Sequence, residues 1–362
     1  QSLRYDKKVV QSILFFLYYF TVEGFVMKQI RFDQLDGVRA FAILLVVASH
    51  TSAFGMTGQG GLGVAIFFTL SGFLLVIPSI PDGEERFCSI SSILLFYLKR
   101  ALRLLPSYYI ILLSVYWITD SSQGLIGNLL FTNCQGHLWF LQQEVFFYFL
   151  APFLMLVLFF LKKICKFKNL HLSFLLLAAA YLSQKYLTAD VFYLMGNGKE
   201  QNFRLGLFLI GMAFGYLYKS GKCSSIKTLS GKAFADFICL LLICCSIFSS
   251  AFFLSKFNTE LVSYYVGWNK PLLCAFGTGL FLFLILANAD GIFSRLFRLP
   301  FFVSIGKASY GIYLIHYFLI PYVNFSTPVK NFTAVFFISL GIGMILYGWI
   351  EQSIQRLLKK NL

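Results

Sequence analysis

Charged residues are scarce in this chain and make up only 12% of its 362 positions. Soluble domains carry about a quarter charged residues, because their surfaces must remain hydrated. Hydrophobic residues reach 58%, a fraction that cannot be buried inside a soluble domain. The shortage of charge therefore excludes a soluble globular protein, and the abundance of apolar residues indicates a polytopic membrane protein.

Cysteine patterns that would indicate a metal site or a disulfide framework are also lacking. The eight cysteines are scattered, and their spacings match no metal-ligand motif and no paired arrangement, so we expect no metal ion. The formal net charge of +15 would suit a nucleic-acid partner. The basic residues, however, lie in short clusters between apolar segments and form no basic helix or finger motif, so we expect no nucleic acid.

What the chain has instead is a series of apolar segments long enough to cross a bilayer. We predict an all-α polytopic membrane protein, a bundle of about ten transmembrane helices. We find no internal repeat and no added soluble domain. The predicted spans are 37–54, 62–80, 104–118, 138–161, 169–188, 202–218, 233–255, 268–289, 301–323 and 331–350.

Lys and Arg residues are concentrated in alternate loops. The loops on one side contain most of them, whereas the opposite loops contain only Lys185, Lys199, Lys256, Lys270 and Lys330. Because positively charged loops remain in the cytoplasm, this alternation predicts an even number of spans with both termini cytoplasmic. We expect the protein in the inner, cytoplasmic membrane of the cell.

Residues 1–26 do not fit this series. The apolar run from Ile13 to Phe20 is too short to span a bilayer, and its flanks lack a convincing cleavage site. Met27 begins a stretch that would be an ordinary protein start. We interpret residues 1–26 as an upstream extension or an interfacial segment, and residues 27–362 as the transmembrane domain.

Arg39 and His50 lie within the first span, in the stretch DGVRAFAILLVVASH. They are eleven residues apart, so they share a helical face and are separated by roughly 16 Å in depth. Taken singly, an Arg that reaches the membrane surface and a His bonded to a carbonyl need no function. Ionisable groups inside a span usually face a bundle interior or a watery cavity, so the aligned pair predicts a functional site.

Arg100 and Arg103 form a second basic pair, three residues apart before the third span. Two interpretations remain open for this pair. It is either a topogenic anchor at the cytoplasmic surface or a clamp for a phosphorylated ligand that arrives from the cytoplasm. The second interpretation rests on the forked geometry with which guanidinium groups bind phosphate.

Further polar residues recur towards the outer ends of several spans. His137 and Glu144 are seven residues apart and share a face of the fourth span, while His50 lies at a comparable depth in the first. Arg204 lies near the outer mouth of the sixth span, and His316 lies in the ninth. Together they predict a polar chamber in the outer half of the membrane, typical of a proton-handling site in an enzyme or a transporter.

The stretch DGVRAFAILLVVASH, followed by GVAIFFTLSGFLL, resembles the paired opening motifs of the acyltransferase-3 family of integral-membrane O-acyltransferases. The resemblance extends from Phe32 to Glu351. Many relatives carry an acid at the position of Ala65 and a Ser or Thr at that of Phe140, so no role for those side chains is expected here. The family's motifs fall on Arg39 and His50, on Arg100 and Arg103, on Trp139 and Glu144, and on Ser309, Tyr310 and His316.

Members of this family transfer acyl groups, commonly acetyl, from coenzyme A to sugar hydroxyls of cell-surface glycans or to other acceptors. The resemblance therefore implies acetyl-CoA or another acyl-CoA as the donor, and a cell-surface or lipid-linked glycan or another hydroxyl compound as the acceptor. Some members carry a fused extracytoplasmic esterase-like domain. We expect this chain to act without one.

The resemblance also suggests a role for each candidate residue. His50 is the expected general base, Glu144 orients or stabilises its ring, and Arg39 holds the pantetheine arm or polarises the thioester. Arg100 and Arg103 are expected to bind the donor phosphates. The expected acceptor chamber is lined by Trp139, His137, Arg204, Ser309, Tyr310 and His316.

A secondary transporter or flippase for a glycan or a small solute is the alternative, because it would also need ionisable groups at depth. Its sequence signatures, a repeated half and helices broken near the membrane centre, are not evident. A purely structural scaffold would leave Arg39, His50 and Glu144 without a purpose.

Overall fold

The computed structural model is a bundle of α-helices. Within the residues that it describes, all regular structure is helical and no strand occurs. The segment predicted as an upstream extension, residues 1–26, lies outside them. The described residues are 32–56, 60–77, 84–120, 124–134, 136–186, 204–221, 226, 228–248, 260–354 and 356.

Each of the predicted spans coincides with a long helix. Two short helices, α4 and α10, join neighbouring long ones. In chain order the helices are α1 Asp33–His50, α2 Gly60–Val76, α3 Ile90–Thr119, α4 Leu125–Leu129, α5 Trp139–Ile164, α6 Asn169–Tyr186, α7 Leu205–Lys219, α8 Leu229–Phe248, α9 Glu260–Ala287, α10 Ile292–Phe297, α11 Pro300–Leu319 and α12 Pro328–Leu346.

The third helix is the main departure from the predicted boundaries. It begins at Ile90 rather than near residue 104 and continues through Pro106. Arg100 and Arg103 therefore lie well inside α3 and not at its start.

Three helical stretches among the described residues are long and apolar enough to cross a membrane by length and composition: Ile90–Thr119, Gly136–Ile164 and Pro328–Ile354. Three more, Gly60–Val76, Leu205–Lys219 and Pro271–Ala287, are apolar but shorter. The helical class is confirmed, and these stretches indicate a membrane protein. The count of about ten membrane-crossing helices stays a prediction.

Glycines bring the central helices into direct backbone contact. A Cβ atom on Gly306 of α11 would lie 1.8 Å from the Asp36 carbonyl oxygen of α1, and one on Gly211 of α7 would lie 1.9 Å from the Thr69 carbonyl oxygen of α2. No other residue lets two helices approach this closely. The α1–α11 and α2–α7 contacts therefore form the centre of the bundle.

The helices place two kinds of side chain at opposite ends of the bundle. α1 and α11 run in the same direction, because Asp36 meets Gly306 near their starts and His50 meets His316 near their ends. We call the end at which α1 starts the basic end; Lys162 and Lys219, at the ends of α5 and α7, lie there too. We call the opposite end, where His50 lies, the histidine end.

Candidate active site

Three histidines from three helices meet at the histidine end. His50 Nδ1 lies 2.9 Å from His316 Nε2, and the two rings are stacked with centroids 5.1 Å apart. The ring of His137 approaches His316 edge to face at 5.3 Å. His137 and His316 are buried, whereas His50 is exposed. We call these three residues the histidine cluster; of the three, His50 is the one that a substrate can reach.

The hydrogen bonds of His316 show which ring nitrogens carry protons in the His50–His316 pair. His316 Nδ1 lies 2.8 Å from the carbonyl oxygen of Tyr313 and 3.2 Å from that of Ile312. Carbonyl oxygens only accept hydrogen bonds, so Nδ1 carries the proton and Nε2 of neutral His316 is an acceptor. His50 therefore donates its Nδ1–H to His316. This leaves Nε2 of neutral His50 unprotonated, as a general base requires.

A cavity of about 170 Å³ adjoins the exposed face of His50. It is several times the roughly 30 Å³ that a water molecule occupies in the liquid, so it has room for a small acyl group. Tyr313 donates its hydroxyl proton to the carbonyl oxygen of His137, which joins two walls of the cavity. The cavity is lined by Ser49, His50, Gly60, Gly61, Val64, His137, Trp139 and Tyr313.

Glu144 does not belong to the histidine cluster. Its Oε1 accepts hydrogen bonds from the Tyr148 hydroxyl at 2.8 Å and from the Ser71 hydroxyl at 3.0 Å. The Arg100 guanidinium lies over the Tyr148 ring, 4.6 Å from its centroid. The structure thus corrects one expectation, because the ring of His50 contacts His316 and not Glu144.

Arg39 and Arg103 join Glu144 in a second cluster. Arg39 forms an ion pair with Asp36 at 2.5 Å, and the side chains of both are largely buried. Arg103 interacts electrostatically with Glu144, with Asp36 and with Glu351. Buried charges are stable only when they are paired, and here acids and guanidinium groups alternate. We call the set Asp36, Arg39, Arg100, Arg103, Glu144 and Glu351 the arginine–glutamate cluster.

Glu351 is the site residue that the sequence analysis missed. It is buried, and it lies at the end of a π-helical turn, Tyr347–Glu351, that follows α12. It interacts electrostatically with Arg39 and Arg103. Turns of this kind often occur at functional sites, because the extra residue redirects a side chain. The sequence feature that could have identified Glu351 is a single acidic residue at the end of the last apolar segment.

The predicted single outer chamber is therefore corrected to two clusters. Arg39 and His50 lie at opposite ends of one face of α1, roughly 16 Å apart, and belong to different clusters. Tyr310, predicted to line the outer chamber, donates its hydroxyl to the Leu104 carbonyl oxygen at 2.8 Å and lies within electrostatic range of Glu144 and Glu351. Glu144 and Tyr310, both predicted for the outer half, therefore belong to the arginine–glutamate cluster instead.

Arg204 and Ser309 take positions at the margin of these clusters. Arg204 precedes the first residue of α7, and its backbone N–H donates to Gln143 Oε1 at 2.9 Å. This bond connects the start of α7 to α5 beside Glu144. Ser309 is buried within α11, next to Tyr310.

Clusters of metal-binding side chains are absent from the part of the chain that the structure describes. No set of three or more His, Cys, Asp or Glu side chains there could hold a metal ion. Both ring nitrogens of His316 are engaged, by His50 and by backbone carbonyl oxygens, and His137 Nε2 contacts the Leu314 carbonyl oxygen. The expectation that no metal takes part stays a prediction.

A helical bundle with an oriented histidine beside a small cavity, and with three arginines grouped with three acids, has the features of a membrane enzyme that handles protons and anions. The model of the family described as an acyltransferase domain matches residues 32–350. The chain therefore belongs to the acyltransferase-3 family, as the sequence motifs indicated.

Named relatives lie within the same family. The chain is 26% identical over 335 residues to the peptidoglycan O-acetyltransferase OatA of Listeria monocytogenes, which covers 83% of this chain and 50% of the relative. It is 24% identical over 359 residues to the O-acetyltransferase OatA of Staphylococcus aureus, which covers 89% of this chain and 57% of the relative. The chain thus spans about half the length of the curated relatives it matches. No solved structure matches it.

Proposed function

We propose that the chain is a membrane O-acyltransferase that moves an acyl group, most simply acetyl, from an acyl-CoA to a hydroxyl group of a cell-surface or lipid-linked glycan. The observation that carries the proposal is the His50–His316 pair beside the small cavity. Membership of the acyltransferase-3 family supports acyl transfer, and the similarity to a peptidoglycan O-acetyltransferase supports a glycan acceptor. The donor is inferred from the family resemblance and from the arginines of the arginine–glutamate cluster.

The proposed reaction uses the free Nε2 of His50. This atom takes the proton of the acceptor hydroxyl while the hydroxyl oxygen attacks the thioester carbonyl and forms a tetrahedral intermediate. The intermediate collapses to the ester and expels the thiolate, which receives the proton from His50. His316 accepts the Nδ1–H of His50 throughout and so holds the ring in position. Ser49 and Trp139 line the same cavity and carry O–H and N–H donors suited to the developing oxyanion.

The arginine–glutamate cluster is proposed to hold the donor. Arg100 and Arg103 bind its diphosphate, and Arg39 binds the pantetheine arm that continues along α1 towards His50. The separation of roughly 16 Å between Arg39 and His50 suits this arrangement, because a thioester at the end of a long arm can reach the cavity while its phosphates stay behind. The same separation argues against the alternative role of Arg39, in which its guanidinium polarises the thioester directly.

The basic end is proposed to face the cytoplasm and the histidine end to face the outside, with both termini cytoplasmic and the protein in the cytoplasmic membrane. Lys162, Lys219 and Arg298 lie at the basic end, which agrees with the bias of positive charge towards cytoplasmic loops. The donor would then enter from the cytoplasm and the acceptor from outside.

Purified protein in lipid vesicles tests the proposal directly. With acyl-labelled CoA and a glycan acceptor, we expect label in the glycan and release of free CoA that depends on the acceptor. The His50→Ala variant should lose at least about 100-fold in rate, the usual minimum for removing a general base. Transport of unmodified glycan without CoA release would support the transporter or flippase instead, and more than about a tenth of the wild-type rate in His50→Ala would exclude His50 as the base.

A further inference from the structure

A buried carboxylate at the basic end organises a group of cations that the proposed reaction has not used. Glu84 lies just before the short 3-10 turn Glu85–Cys88 and is only 4% exposed. Its Oε1 accepts from the Tyr216 hydroxyl at 2.6 Å, and Lys162 Nζ lies 3.3 Å and 3.1 Å from its two oxygens. Glu84 therefore ties the start of α3 to the ends of α5 and α7.

The carboxylate of Glu84 stays ionised in this position. Burial alone would raise its pKa, but the hydrogen bond from Tyr216 and the positive charge of Lys162 outweigh burial and lower it below the ordinary value for Glu. The Lys162 ammonium group is thus held in place by a permanent negative charge.

Positive charge exceeds negative charge around Glu84. Lys219 interacts electrostatically with Glu84, Lys162 and Arg86, and Lys99 interacts with Arg86. Glu84 is thus paired with Lys162 and Lys219, while Arg86 and Lys99 extend the same group of cations. Such an arrangement is suited to a ligand with two negative charges, which a phosphate monoester carries near neutral pH. We call Arg86, Lys99, Lys162 and Lys219 the basic cluster.

Aromatic side chains connect the basic cluster to the arginine–glutamate cluster. The Arg86 guanidinium lies over the Phe87 ring at 4.6 Å, and Phe87 packs edge to face on Phe96 at 5.6 Å. Arg100 in turn lies over the Phe96 ring at 5.4 Å and over the Tyr148 ring at 4.6 Å. The two cationic groups therefore lie along one continuous wall formed mainly by α3 and α5.

The length of α2 gives the distance between the basic cluster and the cavity beside His50. Gly60 lines the cavity beside His50, and Val76, at the other end of α2, packs against Gly215 one residue before Tyr216. These ends are roughly 24 Å apart. A ligand that occupied both would be long and thin, with its reacting group at one end and phosphate at the other, which is the shape of an acyl-CoA.

We infer that the basic cluster binds the ribose 3′-phosphate of the acyl-CoA donor, while the arginine–glutamate cluster binds its diphosphate. The inference rests on the proposed function and adds a second phosphate-binding subsite for the donor. Glu84 is a positioning residue in this subsite, because it fixes Lys162 and Tyr216 by hydrogen bonds. Its negative charge also keeps the phosphate from binding in contact with the carboxylate.

Binding of CoA and of dephospho-CoA, which lacks only the 3′-phosphate, tests the inference without any requirement for catalysis. In nanodiscs of neutral lipid, wild-type protein should bind CoA at least about tenfold more tightly than dephospho-CoA, the range expected for charge-assisted hydrogen bonds. The variants Lys219→Gln and Lys99→Gln should each reduce the ratio of CoA affinity to dephospho-CoA affinity several-fold. Their affinity for dephospho-CoA should stay unchanged. Lys163→Gln is the matched control, because Lys163 is exposed and lies over Phe159, away from Glu84.

Each outcome of this experiment decides a different question. A wild-type protein that binds both nucleotides equally, or variants that keep the wild-type ratio, would overturn the 3′-phosphate subsite. If the variants instead lose affinity for phosphatidylglycerol in nanodiscs and keep the CoA ratio, the basic cluster binds lipid phosphate, and the assignment is wrong. Failure of the wild type to bind either nucleotide would overturn the donor in the proposed function itself.

Discussion

His316 acts on the reaction through His50 at the level of single residues. It is fully buried, and it presents Nε2 to the Nδ1–H of His50. We predict that His316→Leu lowers kcat by on the order of ten- to a hundredfold and leaves the donor KM unchanged, because the Nδ1–H of His50 loses the acceptor nitrogen that orients its ring.

His316→Gln provides the control for this prediction, because the Gln side chain can present an oxygen acceptor to His50. We expect Gln to restore part of the kcat that Leu loses. Steady-state kinetics of both variants, with thermal unfolding as a check on folding, make the comparison. Equal kcat values for the Leu and Gln variants would contradict a positioning role for His316.

Glu351 interacts electrostatically with Arg39 and Arg103 and offsets part of their positive charge. Removing the acid leaves that positive charge less compensated, which costs stability. We therefore predict that Glu351→Gln lowers the thermal stability of the ligand-free protein, and that CoA raises the Tm of this variant more than it raises that of wild type, since its phosphates supply the missing negative charge.

Thermal unfolding in detergent with and without CoA measures both effects. Glu85→Gln is the matched control, because Glu85 is an exposed acid at the same end of the bundle. A Glu351→Gln variant with wild-type stability and a wild-type response to CoA would show that Glu351 does not face the donor site.

Helix contacts through glycine determine where Arg39 lies, which makes them testable at the level of elements. A Cβ on Gly306 would lie 1.8 Å from the Asp36 carbonyl oxygen, so Gly306→Ala must push α1 away from α11. We predict that this variant loses stability by an amount typical of overpacking, about 1–3 kcal/mol, and also loses donor affinity, because Asp36 and Arg39 move with α1.

Gly341→Ala in α12 is the matched control, since nothing lies within 4 Å of its added Cβ. Unfolding midpoints and CoA affinities of the two variants test the prediction. If Gly306→Ala and Gly341→Ala behave alike, the close α1–α11 contact is not what positions Arg39.

Sequence patterns predicted the helices well and their contacts poorly. Apolar length located every long helix among the described residues, because the bilayer requires a minimum span. Periodicity defines a face and a depth on one helix but not the neighbouring helix. It therefore could not show that His50 meets His316, or that Glu144 faces α2 and α3 instead.

Glu351 was missed for a related physical reason. At the end of an apolar segment, an acid is expected to lie at the membrane surface, and regular α-helical geometry would have placed it there. The π-helical turn changes the direction of the side chain by an amount that residue spacing does not reveal. The start of α3 at Ile90 was missed because Lys99, Arg100 and Arg103 interrupt the apolar pattern of this helix.

The proposed orientation of the whole molecule rests on the positions of its cations and is testable with thiol reagents. Cys88, Cys165 and Cys245 are exposed among the described residues, so the eight cysteines of the chain are first replaced by Ser. A membrane-impermeant reagent should then label Lys163→Cys only from the cytoplasmic side and Lys330→Cys only from outside. Labelling of both positions from the same side would contradict the proposed orientation of the basic and histidine ends.

The central claim is that the acyl group passes from a donor at the basic end to an acceptor at the histidine end through a site that depends on His50. Sealed vesicles with the protein in one known orientation test this claim most directly. With labelled acetyl-CoA only on the side of the basic end and glycan acceptor only on the other side, we predict labelled glycan for wild type and none above background for His50→Ala. Labelling that requires donor and acceptor on the same side, or that persists in His50→Ala, would contradict the claim.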